Sequence, residues 1–177
     1  MMKKVNLVIV ALLIGLINTS CNAQTEHISG DPNGIHWMTF EQAVDLSDKS
    51  PKKLFIDVYT GWCGWCKRMD ATTFKDSSVV KYMNDNFYAV KLDAETKDTI
   101  HFRDKIFVFK PEFKANELAV SLLNGKMGYP SFIIMSEKYE LLTPLSGYQT
   151  VEQINPILKY FGSDIYKTVK WEDYQKQ

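Results

Sequence analysis

The chain has 177 residues, 45% of them hydrophobic and 13% aromatic, with 21 basic against 21 acidic residues. That composition supports one domain with a real core and argues against disorder. A formal charge of zero supplies no basic surface for nucleic acid.

Met1-Met2-Lys3-Lys4 precedes an apolar run, residues 5–17, broken by Asn6 and Gly15. This is the pattern of a signal peptide, residues 1–23, and is short for a membrane span. Cys21-Asn22-Ala23 before Gln24 carries small residues where a signal peptidase cuts. Ser20-Cys21 also resembles a relaxed lipoprotein junction of the Bacteroidetes-like kind, with Asn18 where that pattern usually has Leu. Cys21 is then the lipidation site. Either exit places the domain in the periplasm, secreted, or anchored by lipid. Residues 24–34 are polar with Gly and Pro and read as a linker.

The domain is expected over 35–177. Residues 35–38 suit a short first strand. Thr39 with Gln42 forms a capping box for an amphipathic helix to about Lys49, and Ser50-Pro51 ends it. Residues 54–59 are apolar at nearly every position, as in a central strand buried on both faces. A helix starts near Cys63 and runs to about Thr73. Asp76 is the N-cap of the next helix, which carries Val79, Val80, Tyr82 and Met83. Residues 87–93 form a strand. Two β-rich runs over 99–109, parted by Arg103-Asp104, predict a hairpin, though its loop lacks the favoured Gly. Asn116 caps a helix that Gly125 ends in the left-handed conformation. Tyr129-Pro130 precedes a strand at 131–135. A turn at Glu137-Lys138 leads to a last strand at about 140–145. Thr150 and Gln153 make a second capping box, for a helix that Pro156 should kink or restart. Residues 163–177 are expected to continue as a helical extension.

The chemistry concentrates in Trp62-Cys63-Gly64-Trp65-Cys66-Lys67. A thiol at a helix N-terminus meets unpaired backbone N–H groups, which favour the thiolate, and the thiolate is what attacks disulfides. Cys66 lies three residues on, nearly one turn, within reach of Cys63. Two other readings of Cys-x-x-Cys stand beside this one. A zinc site needs two more Cys or His ligands, whereas His27, His36 and His101 are scattered singly and Cys21 sits in the leader. A purely structural disulfide over a two-residue gap closes almost no chain.

The order of elements, with Trp-Cys-x-x-Cys-Lys between a strand and a helix, resembles the thioredoxin family over about 35–162. Asp57, six residues before Cys63, matches the family's buried acid. Lys91 matches the lysine that accompanies it, Tyr129-Pro130 the cis-proline beside the dithiol, and Gly147 a glycine of the substrate groove. The resemblance implies an α/β thioredoxin fold: a central mixed sheet flanked by helices, here with an inserted hairpin at about 97–116 and a C-terminal helical extension. It implies a thiol:disulfide oxidoreductase with a Cys63–Cys66 redox disulfide and no other cofactor or metal. Asp57 would take a proton from Cys66, and Lys91 would hold that acid's charge. Substrate chains would pair with the backbone at Tyr129-Pro130 and rest on Trp62 and Trp65. The expected partners are proteins bearing disulfides and a membrane thiol electron donor. An alternative from another class is a peptide-binding or chaperone-like module on the Trp62/Trp65/Tyr129 surface; a metal carrier is a third.

The chain also departs from the family. Gly64-Trp65 stands between the cysteines, so no imidazolium sits beside Cys63, which argues against a strongly oxidising potential and for about −200 to −270 mV. Tyr129 replaces the Thr, Ile or Val common before the cis-proline.

Overall fold

The computed structural model describes residues 33–176. The expected signal peptide, Cys21 and residues 24–32 of the expected linker lie outside them. Gly34, at the linker's end, is buried, and its carbonyl accepts a hydrogen bond from Asn84 at 3.1 Å.

A five-stranded mixed sheet forms the centre. β1 (Trp37–Met38), β3 (Phe87–Asp93) and β2 (Lys53–Tyr59) run parallel in that spatial order. β8 (Ser131–Met135) is antiparallel to β2, and β9 (Leu141–Ser146) is antiparallel to β8 at the edge. The helices are α1 (Phe40–Lys49), α2 (Gly64–Ala71), α3 (Ser77–Asn86), α4 (Glu117–Leu122), α5 (Val151–Gly162) and α6 (Trp171–Tyr174). This is the thioredoxin fold expected from the sequence.

Alternation along β2 divides the core in two. Leu54, Ile56 and Val58 face one cluster, shared with Phe40 and Val44 of α1 and Leu118 of α4. Phe55 faces the other, shared with Met69 of α2, Val79 and Met83 of α3, and Ile154 and Leu158 of α5. Asp57 follows the parity of Phe55, so its carboxylate enters the second, apolar face. Its register partner on β3 is Lys91, which follows the parity of Phe87 and Ala89.

Local signals set most helix starts. Both capping boxes form, Thr39 with Gln42 and Thr150 with Gln153. Asp76 accepts from the N–H groups of Ser78 and Val79, and Asn116 from that of Leu118. Gly125 takes φ +73° after α4. The helix α2 is shorter than expected, ending at Ala71 with a 3-10 turn at Thr73–Lys75.

The insertion forms the predicted hairpin, β4 (Ile100–Phe102) with β5 (Lys105–Phe107). Arg103 supplies the positive φ, 55°, that glycine usually provides. A second pair, β6 (Phe109–Lys110) with β7 (Ala115–Asn116), escaped the sequence reading. Asn116 ties the insertion at its base: its N–H donates to the Ala94 carbonyl at 2.7 Å and its Nδ2 to that of Asp98 at 3.1 Å.

Two expectations need correction. Of the two outcomes expected at Pro156, a kink or a restart, the restart does not occur: α5 is continuous over Val151–Gly162. The bond lost at Pro156 is outweighed by a buried face of Ile154, Ile157, Leu158 and Tyr160. The C-terminal extension is not one helix. It breaks at Asp164, where φ is 60°, into a 3-10 turn (Ile165–Lys167) and the four-residue α6.

A buried cation meets the chain at that break. Lys53 has a side chain only 4% exposed, and its Nζ lies 2.7 Å from both Glu137 and Asp164. Burial works against its charge, but the two carboxylates outweigh it and raise its pKa. Both carboxylates keep substantial solvent contact. Lys53→Met removes the costly charge and leaves its partners hydrated, so it should cost at most about 1–2 kcal/mol. The double change Glu137→Gln, Asp164→Asn strands the ammonium and should cost about 3–5 kcal/mol. Urea denaturation of the two variants measures the difference.

Candidate active site

Cys63 is the N-cap of α2, and its sulfur accepts the backbone N–H of Cys66 at 3.1 Å. The position is one that a Ser or Asp oxygen often fills, so a sulfur there replaces a hydroxyl as the group satisfying a helix-end donor. Cys63 is disulfide-bonded to Cys66, and both residues are buried, 4% and 3% exposed. The chain reaches this N-cap from β2 through Thr60-Gly61-Trp62, pinned by the Cys63 N–H donating to the Thr60 carbonyl at 3.1 Å.

Asp57 is 1% exposed. Its Oδ2 accepts from Lys91 Nζ at 2.6 Å, whereas its Oδ1 is buried with no hydrogen-bond partner. Burial raises the carboxyl's pKa to about 6; Lys91 pulls it down in part, and Asp70 adds to the rise. Lys91 also bonds Asp70 of α2. The rings of Trp37 and Tyr59 lie 4.9 and 5.0 Å from its Nζ, at cation–π distance. For Lys91, burial lowers the pKa, but the two carboxylates outweigh it and raise it. Sequence reading named Asp57 and Lys91 but missed Asp70. Its only signal was a place two turns beyond Cys63 on the same helix.

The rim is aromatic. Trp62 is 67% exposed and Trp65 56%. The Trp62 indole N–H donates to Glu95 at 3.1 Å, and its ring meets Tyr129 edge-on with centroids 5.9 Å apart. Trp65 lies 5.5 Å from Tyr148, and the Arg68 guanidinium sits over both rings, at 5.3 and 5.6 Å. Glu95 and Tyr148 were not foreseen from the sequence. The Tyr129-Pro130 peptide is cis. Gly147, at φ +88°, donates its N–H to the Pro130 carbonyl at 2.8 Å, so it is bound to the cis-proline segment. Among the described residues no group of His, Cys, Asp or Glu is arranged to hold a metal ion.

A family model described as Thioredox_DsbH, a protein of unknown function (DUF255), matches residues 27–154. The chain belongs to this thioredoxin-like family. Among curated proteins, an uncharacterized protein of Caenorhabditis elegans, B0495.5, is 30% identical over 43% of this chain, and mouse spermatogenesis-associated protein 20 is 27% identical over the same share. The matched segments span only about a tenth of those relatives, 10% and 9%. Among solved structures, a Bacteroides thetaiotaomicron protein described as a "putative disulphide-isomerase" is 25% identical with a TM-score of 0.52, covering 78% of this chain and 95% of its own. A thioredoxin from Thermus thermophilus has a TM-score of 0.57 at 18% identity, covering 72% of this chain and 87% of its own, and carries the fold alone. A DsbH oxidoreductase is alike in fold, with a TM-score of 0.51 at 14% identity, covering 76% of this chain and 94% of its own. Together with the Cys63–Cys66 pair, membership of the DsbH-type family supports an enzyme of the oxidoreductase type.

The raised Asp57 pKa has a consequence for stability. The folded state holds this proton more tightly than the unfolded state, so the Asp57 contribution to stability falls as pH rises from about 4 to about 6 and is flat above. Asp57→Asn should therefore stabilise the protein at pH 7.5 by up to about 3 kcal/mol, and the gain should vanish near pH 4. Thermal unfolding of both proteins across that range checks the sign.

Proposed function

We propose that this chain is an extracytoplasmic thiol:disulfide oxidoreductase that reduces or isomerises disulfides in other proteins. The observation that carries the reading is the dithiol itself: one sulfur at a helix N-cap, bonded to a second sulfur one turn on, in a sheet that buries a carboxylate of raised pKa. The leader at residues 1–23 supports a site outside the cytoplasm, with removal or lipid attachment at Cys21.

In the reduced enzyme the Cys63 thiolate attacks a substrate disulfide. A mixed disulfide forms, and one substrate sulfur leaves as thiolate. Cys66 gives its proton to Asp57, attacks the Cys63 sulfur, and expels the second substrate thiolate, which takes up a proton. Two electrons pass to the substrate, and the Cys63–Cys66 disulfide remains. A membrane dithiol donor returns the two electrons. No cofactor beyond the cysteine pair takes part. Trp62, Trp65 and Tyr129 hold the substrate's apolar side chains, and the backbone at Tyr129-Pro130, with Gly147 beside it, receives its extended segment.

Insulin reduction with dithiothreitol tests the reading. Wild type should accelerate precipitation and Cys63→Ser should not; equal rates would refute it. Equilibration with glutathione should give about −200 to −270 mV, and a value near that of a strong oxidase, about −120 mV, would reverse the direction of electron flow. Trp62→Ala should raise KM about fivefold with kcat little changed, as expected for lost binding of roughly 1 kcal/mol.

The exposed aromatic rim also favours a second reading, a peptide-binding module in which redox chemistry is secondary. A Cys63→Ser, Cys66→Ser double variant that retained full cellular function would favour it.

A further inference from the structure

Lys91 stands between two carboxylates of different character. Asp57 lies on the sheet, sealed from solvent. Asp70 lies on α2, with a side chain 42% exposed, lining a cleft of about 270 Å3 with Trp37, Tyr59, Phe74 and Lys91 itself. The lysine side chain is 11% exposed, so it forms the wall between the sealed acid and the open one. A second cleft, of about 340 Å3, reaches Lys91 and Tyr59 from the α1 side.

We propose that Asp70 is a positioning residue of the redox centre: by sharing Lys91 with Asp57, it keeps Asp57 able to take up and return a proton as Cys66 reacts. The inference rests on the oxidoreductase reading above and extends it to a residue with no place in the Cys-x-x-Cys pattern.

Asp57, Lys91 and Asp70 together carry one net negative charge when both acids are ionised. Uptake of a single proton at Asp57 makes the cluster neutral, which is the cheap state among apolar and aromatic neighbours. Without the Asp70 charge, Asp57 and Lys91 already cancel, and proton uptake would leave a net positive charge. Asp70 thus favours the protonated carboxyl in two ways: by direct repulsion, and by sharing the ammonium with Asp57. The unpartnered Oδ1 of Asp57 is the oxygen not committed to the lysine, and so the one open to the proton. In the forward step the Cys66 thiol loses that proton to Asp57 and Cys66 becomes the attacking thiolate. Asp57 then releases the proton to water, and the Asp70-lined cleft lies on the solvent side of the lysine.

The surrounding charges do not reproduce this effect. Tyr59 from β2 faces the lysine with a pKa raised, first by burial and then by Asp93, so it stays neutral through the relevant range. Lys75, from the 3-10 turn after α2, lines the first cleft, and Glu41 of α1 with Asp93 and Asp98 line the second. β1 presents Trp37, and β8 places Phe132 in register with Asp57; neither titrates. Of these groups, Asp57 and Asp70 are the two carboxylates that bond Lys91.

The test is the titration of the Asp57 carboxyl by carbon NMR in the full domain, alongside the pH profile of insulin reduction. Asp70→Asn should move the Asp57 midpoint to lower pH by about one unit, and the rate profile should move with it. Asp70→Glu should restore both. In an Asp57→Asn background, Asp70→Asn should leave the rate profile where Asp57→Asn alone puts it. A midpoint unmoved in Asp70→Asn overturns the proposal, even if thermal stability falls, since that is all a structural salt bridge would do. A moved midpoint with an unmoved rate profile overturns it too, because the proton would then not be the one Cys66 gives up. Asp70→Ser carries the same test, with the same two overturning results, if the Asn variant does not fold. Failure of wild type to outpace Cys63→Ser in insulin reduction is a separate result and removes the oxidoreductase reading instead; the NMR titration still reads whether Asp70 sets Asp57.

Discussion

The arrangement depends on one constraint: a carboxylate has been placed on the apolar face of a central strand. Alternation along β2 leaves no choice of direction for Asp57, because a residue in step with Phe55 must enter the same layer as Met69 and Phe132. A lone ionised carboxylate there is too costly to persist, so it must lose its charge near neutral pH or find a cation. The parallel register of β2 and β3 supplies the cation directly opposite, at Lys91. The compensation is partial, since the pKa still rests near 6. That partial compensation makes the group useful. A fully paired acid would stay ionised and a fully buried one would stay protonated; neither would exchange a proton near neutrality.

Much of this was legible from the chain because it is local. The starts of α1, α3, α4 and α5 are written in side chains at the N-cap and N3 positions, which act over three residues and owe nothing to the tertiary fold. The cysteine pair, the buried acid and the proline before β8 sit at spacings that follow from strand, turn and helix lengths. What was missed depends on contacts between distant segments. Asp164, where the extension breaks, is held in an ion pair by Lys53, more than a hundred residues earlier. Pro156 reads as a helix breaker until the buried face that holds α5 together is known. The two-residue strands of β6 and β7 are too short to have a period. Asp70 and Tyr148 look like ordinary surface residues until Lys91 and Trp65 are found beside them.

The two sides of the rim differ in charge, and the difference bears on the thiol chemistry. Beside Trp62 and Tyr129 lies Glu95, held by the Trp62 indole, and together with Asp93 it raises the Tyr129 pKa after burial has done so. Beside Trp65 and Tyr148 lies Arg68, stacked on both rings. A thiolate at Cys63 gains from the helix-end N–H groups, and the Cys66 N–H that already points at its sulfur is one of them. The disulfide carries no charge and gains little from the same donors, so the helix terminus favours the reduced form. Strong oxidants push this preference further with a cation between the cysteines; here that place is held by Gly64 and Trp65. On the proposed reading, a moderate thiolate preference leaves the dithiol able to give its electrons away, and Cys66 must then attack in its turn. That sulfur is buried as well and has no helix end of its own, and Asp57 is the acid proposed to take its proton. The chemistry of Cys63 is thus set by the backbone, and on the proposed reading that of Cys66 by the Asp57–Lys91–Asp70 cluster.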